Sequence, residues 1–294
     1  MPKTKKPKST DATRMTFAQR EAAAPLPQQM KRDEVTRRLR VRLYSFLRST
    51  IIGAGGVQHS WDDVEGAWDD ILWSLHTDFL ENMPDTYSSS FGQVDRTVKQ
   101  IIENGDYALL FGALEHILRQ ESCPGGLASQ IQHILEETQA AYRIVDRDTF
   151  VPFTSEGEMA TVVAASADLG DSRFVGAKAH YKAAMEALTG GDYAGSMRES
   201  IHAVESLTKL LTSKKTLQDG VVELVKGKQL HTTVGAALEK VAAWTNAVAG
   251  IRHAKDAANA NPSVTEADAV YLLALAGATM SYLRRVGENA GLIK

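Results

Sequence analysis

Two short stretches in the last third of the chain hold side chains that can move protons and bind phosphate. MRESIHAVE, residues 197–205, carries Arg198, His202 and Glu205, with Lys209 one turn further on; GIRHA, residues 250–254, carries Arg252 and His253. The first stretch reads as helix. At about 100° per residue, spacings of 4, 3 and 4 return Arg198, His202, Glu205 and Lys209 to nearly one angle. The second places an arginine beside a histidine just ahead of a very apolar last helix. An imidazole titrates near neutrality and a guanidinium offers a planar fork of donors, so the two sets could form a small cationic site for phosphate or RNA. A plainer reading stands beside each. For Arg198, His202 and Glu205 it is a polar network along a bundle edge, the stronger of the two. For Arg252 and His253 it is a structural pair at a helix junction, level with the phosphate-binding reading.

The stripe on 198–209 lies about a quarter turn from the apolar face of its helix, so it borders the core and could share a site with Arg252 and His253. That helix spans about 192–212, with Tyr193, Met197, Ile201, Val204, Thr208 and Leu211 facing inward. Before it, Phe174, Ala177, Tyr181, Ala184, Met185 and Leu188 line a helix that Gly190-Gly191 should stop. Further helices are expected near 216–226 and 230–246. SVTE, 263–266, reads as a capping box opening a last helix to about Val286, so apolar that burial on every side or a subunit interface is expected.

The first half also reads as helices. Val35, Leu39, Leu43, Phe46, Leu47 and Ile51 give an apolar face over Asp33–Ile52, with Arg37, Arg38, Arg40, Arg42 and Arg48 around it. A second helix is expected after Ser60, its core stripe Trp61, Trp68, Leu72, Leu75 and Phe79. Three more follow at about 90–103, 106–121 and 126–141. YRIVDRDTFVPF, 142–153, carries the one strand signal, a small hairpin about an Asp-Arg-Asp turn, after which Thr154 or Ser155 caps a helix. The fold class expected is therefore mainly all-α: a basic arm over 1–30, a helical domain over 31–170 ending in the hairpin and a linking helix, and a bundle over 171–294.

Composition narrows the functions. The 294 residues are 44% hydrophobic and 23% charged, which fits two ordinary domains. No apolar run nears the ~20 residues that span a bilayer, and the basic start MPKTKKPKST leads into no apolar segment, so neither membrane insertion nor a secretory leader is expected. A single cysteine, Cys123, fits a reducing cytoplasm. Charge is uneven: residues 1–48 carry 13 Lys/Arg against 4 Asp/Glu, and the remainder 20 against 32. The basic first helix, with Arg37, Arg38, Arg40 and Arg42, is thus a candidate nucleic-acid surface, unless acidic residues of 62–81 neutralise it. His59, His76, His116, His133 and His231 are scattered without HxxxH spacing or cysteine partners, so no metal and no cofactor are expected. Arg173 and His180 are separated by six residues, at the first helix of the bundle, and are read as unconnected.

Taken in order, F17-A-Q-R20, L39-R-V-R-L43, A141-Y-R143 with V151-P-F-T-S-E-G-E158, R198-E-S-I-H-A-V-E-S206 and G250-I-R-H-A254 resemble the AbiJ-type abortive-infection proteins of bacteria, in the class whose fourth type of N-terminal domain precedes a HEPN-like helical bundle. The resemblance implies anti-phage defence, a homodimer, and a metal-independent endoribonuclease. In that superfamily an arginine holds the scissile phosphate and a histidine, with four to six residues between them, moves the proton. Arg252 and His253 stand at the expected place but are adjacent, so on a helix they would point about 100° apart. Three functions follow: an RNA-cleaving or RNA-binding defence effector, a non-catalytic interaction or sensor module responding to a phage trigger or partner protein, and a nucleic-acid binder using the basic first helix.

Overall fold

A computed structural model of the chain describes residues 28–152, 155–247 and 264–293. These form eleven α-helices and one two-stranded hairpin, so the fold is mainly all-α. The chain divides into two compact units, one up to Arg143 and one from Ile144.

In the first unit, α1 (Arg37–Ala54) starts where the Thr36 side chain accepts from the Leu39 N–H, and it buries Leu39, Leu43, Leu47 and Ile51, one residue per turn. It packs on α3 (Phe91–Asn104) and α5 (Leu127–Glu137). Ahead of α1, Met30 is buried and its N–H donates to Gln139 at 2.9 Å, so the end of the expected arm is docked. Helix α2 (Ala67–Ser74) begins later than the sequence pattern implies. The Asp62 carboxylate accepts the Gln58 and His59 N–H groups, Val64 and Phe91 pair with Ser89 and Asp62 through their backbones, and Asp63 bridges Ser90. Those bonds hold 58–64 out of a helix. Trp61 is therefore not core: it is 73% exposed and stacks on His59. Past Ser74 the helix widens into a π turn, Leu75–Phe79, which packs on α4 (Tyr107–Arg119).

The hairpin is where the strand signal placed it, β1 (Tyr142–Val145) and β2 (Thr149–Pro152). Asp146 and Arg147 turn it with positive φ, which short polar side chains such as Asp tolerate best. Ser155 then caps α6 (Glu156–Asp168), its hydroxyl bonded to Glu158 as expected. The rest of the second unit is α7 (Val175–Thr189), α8 (Tyr193–Thr212), α9 (Leu217–Lys226), α10 (Thr232–Ala247) and α11 (Glu266–Asn289). Helix α8 is central, packed on α7, α9, α10 and α11, while α6 lies on α11. The last helix is capped by Thr265 with Asp268, two residues beyond the expected box, and Ser263 lies outside the described residues. It is not buried all round. Leu272, Leu273, Ala276, Met280 and Leu283 face the core, while Tyr271 and Tyr282 are exposed.

Candidate functional site

The polar groups that converge in the second unit lie along the α7–α8 hairpin. Tyr181 fixes α7: it is buried, its hydroxyl donates to the Leu273 carbonyl at 3.1 Å, and desolvation pushes its ionisation far above the ordinary tyrosine range. A Cβ on Gly277 would stand 2.5 Å from that hydroxyl, so the glycine makes room for it. Lys178 and Lys182, four residues apart, hold Asp146 and Asp148 of the hairpin turn at 3.0 and 2.7 Å. With Tyr181 turned inward, its neighbour His180 projects from the flank of α7 toward α8.

Helix α8 is fixed as firmly. Asp192 caps it through the Gly195 N–H, and Met197, Ser200, Ile201, Val204, Leu207 and Leu211 are buried. Arg198, Glu199 and His202 fall on its half-buried margin. Glu199 is the centre of the arrangement. One carboxylate oxygen meets His180 Nδ1 at 2.7 Å; the other lies 3.8 Å from both His202 Nδ1 and Arg198 Nε. The imidazole rings stand edge to face with centroids 5.3 Å apart. The histidine side chains are 43% and 33% exposed and the carboxylate 23%, so the cluster is supported from beneath and open to solvent.

This geometry leaves Nε2 as the nitrogen of each imidazole not turned to Glu199. A carboxylate at Nδ1 favours the tautomer with the proton there, which leaves Nε2 able to accept a proton; the protonated ring donates from the same atom. Two such imidazoles beside a guanidinium can take one proton, give another and neutralise an oxyanion.

Of the residues singled out from sequence, Arg198 and His202 are brought together. Glu205, one turn on, lines a separate depression of about 360 Å³ with Thr216, Leu217, Gln218, Glu239 and Lys240. Arg252 and His253 lie outside the described residues. Sequence reasoning missed Glu199 and His180. The first had a signal, because Glu199 and His202 share an i,i+3 spacing. The second is joined to them only by the packing of α7 on α8. Arg173, separated from His180 by six residues, holds Asp171 instead, and its guanidinium draws that carboxyl down to about 2.

The arginines of α1 differ from one another. Arg40 Nη1 donates to the Ile102 and Gly105 carbonyls, the latter at 2.8 Å, and so closes the C-terminal end of α3. Arg42 pairs with Glu137, and Arg48 pairs with Asp95 and lies over the Phe91 ring. Their acidic partners are thus outside 62–81. Arg37 and Arg38 are exposed, with no ion pair among the described residues. Arg37 and Arg40 line a groove of about 410 Å³ with Val35, Val41, Tyr44, Lys99, Ile102 and Glu103.

The family described as AbiJ N-terminal domain 4 matches residues 15–168, more than half of the chain. The chain belongs to that family, which ties it to abortive-infection defence against phage. No curated protein and no solved structure matches the chain. Among the described residues no helix is long and apolar enough to cross a membrane.

Proposed function

We propose that the chain is an effector of abortive-infection defence whose second unit is a HEPN-like bundle that cleaves RNA. The observation that carries this reading is the pairing of His180 and His202 about the Glu199 carboxylate, with Arg198 on the same edge. RNA supplies its own nucleophile. One imidazole, neutral, takes the proton of a ribose 2′-hydroxyl as that oxygen bonds to phosphorus. The P–O5′ bond breaks, and the other imidazole, protonated, gives its proton to the departing oxygen. Arg198 stabilises the charge on the phosphoryl oxygens. The products are a 2′,3′-cyclic phosphate and a 5′-hydroxyl, and no metal enters the step. Arg252 and His253 are proposed as further members of the site.

The reading includes a homodimer. On α11, Tyr271, Leu275, Ala278 and Tyr282 repeat at spacings of 4, 3 and 4, a stripe that is exposed or half-buried in the single chain. A second copy would cover it. The alternative reading, a non-catalytic sensor, is favoured by the mixed groove on α1 and α3 of the first unit, which has the size of a small ligand site.

Overproduction in a bacterial host, with RNA integrity read in the same cells, tests the proposal. Growth arrest with fragmented RNA that disappears in a His180→Ala/His202→Ala double variant is expected. Arrest with intact RNA would favour the sensor.

A further inference from the structure

We infer that His180, Glu199 and His202 form a binding site for a divalent transition metal of the zinc class. One donor atom from each, an imidazole nitrogen from either histidine and a carboxylate oxygen, lie within 4.8 Å of one another. In a tetrahedral zinc site with ligand bonds of about 2.0–2.1 Å, neighbouring donors stand roughly 3.3 Å apart. The two separations here, 2.7 Å from His180 Nδ1 to one Glu199 oxygen and 3.8 Å from His202 Nδ1 to the other, straddle that value, so side-chain rotations that bring both imidazoles to one oxygen would seat an ion. The i,i+3 Glu-x-x-His pair on α8 is a helical arrangement that directs a carboxylate and an imidazole to one ion, and the third ligand comes from the adjoining helix. Both helices are held from beneath, by Tyr181 on α7 and by the buried face of α8.

Two imidazoles and one carboxylate suit zinc or cobalt. They do not suit magnesium or calcium, which take oxygen ligands. The exposed edge leaves a coordination position to water. Binding requires each histidine to be neutral with its proton on Nε2, so a proton held on Nδ1 must leave that nitrogen by way of solvent as the ion binds. Arg198, 3.8 Å from one carboxylate oxygen, opposes the ion electrostatically, while the oxygen now facing His180 is the better ligand.

The site shares its residues with the proposed cleavage but not its chemistry. An ion on the Nδ1 atoms fixes a proton on each Nε2 and removes the base, so zinc would switch cleavage off.

The full chain, stripped with chelator and dialysed, is titrated with Co²⁺ and then with Zn²⁺. One equivalent of Co²⁺ should give ligand-field absorption in the visible that Zn²⁺ displaces. Saturating Zn²⁺ should raise the melting temperature by about 5 °C or more, with Mg²⁺ inert. His180→Ala, Glu199→Gln and His202→Ala should each weaken binding at least about tenfold, since even groups that only orient a ligand are worth that much. Their melting temperatures in chelator should equal that of the parent, and His202→Asn repeats the reading if the alanine variant melts lower. Absence of stoichiometric binding, or binding unchanged in all three variants, would overturn the inference. Cleavage in chelator without metal binding would defeat this site and leave the proposed function standing; metal binding without cleavage would do the reverse.

Discussion

The two units use similar polar side chains in opposite ways. In the first, polar groups tie the fold together: Arg40 closes the end of α3, Asp62 gathers the Gln58 and His59 amides, and His116 Nε2 meets the Ser74 hydroxyl at 2.9 Å, which itself donates to Asp78. In the second, two imidazoles and a guanidinium gather around one carboxylate at the open edge of α7 and α8, and none of these three contacts closes a helix end. An arginine or histidine bonded to carbonyls and hydroxyls stabilises the fold. The same residues grouped around a half-exposed carboxylate can meet a ligand. The contrast predicts different losses on mutation: stability in the first unit, activity in the second.

The largest effect is expected at the cluster. His180→Ala and His202→Ala should each lower RNA cleavage by about 10²–10⁴-fold with melting temperature unchanged, as measured on a labelled oligonucleotide. A parallel fall in melting temperature and activity would make the cluster structural and erase the contrast.

Next in size is Arg40→Ala. It leaves the carbonyls of Ile102 and Gly105 without their charged donor at the negative end of α3 and should cost about 1–3 kcal/mol by denaturant titration. Cleavage by the folded variant should be unaltered.

A smaller effect concerns pH. Burial lowers the pKa of His116 against the opposing pull of Asp78. Its folded value lies below its unfolded one, so the native state binds fewer protons near pH 6. Stability contributed by neutral His116 is present above about pH 6.5 and is lost as pH falls through the folded value. Thermal melts between pH 7.5 and 5 should show this slope, and His116→Gln should flatten it. Smallest of all, Arg37→Ala and Arg38→Ala should change stability by no more than about 0.5 kcal/mol. A salt-dependent loss of RNA binding in that pair would bring the basic helix back as the nucleic-acid surface.

Helical period was readable wherever one apolar face met a core, as in α1, α7 and α8. The Asp-Arg-Asp signal was enough for the hairpin. It failed at 58–66, where Trp61 keeps the right spacing for a helix but Asp62 and the Ser89–Phe91 segment claim the backbone. The last cap was misplaced because Thr265 with Asp268 offers the same reciprocal bonds as the expected box. For the site, Arg198 and His202 could be read because one helix carries both. His180 could not be read, since 19 residues and a helix turn separate it from Glu199, and only the α7–α8 packing joins them.

The central claim, metal-free acid–base cleavage of RNA at the α7–α8 edge, is tested most directly by the ends of the products. The purified full chain is incubated with RNA in excess chelator, and the fragments are analysed for their termini. The account predicts cleavage that persists in chelator, leaves 2′,3′-cyclic phosphate and 5′-hydroxyl ends, and is lost in His202→Ala. Cleavage that stops in chelator and leaves 5′-phosphate ends, or RNA that stays intact, would contradict it.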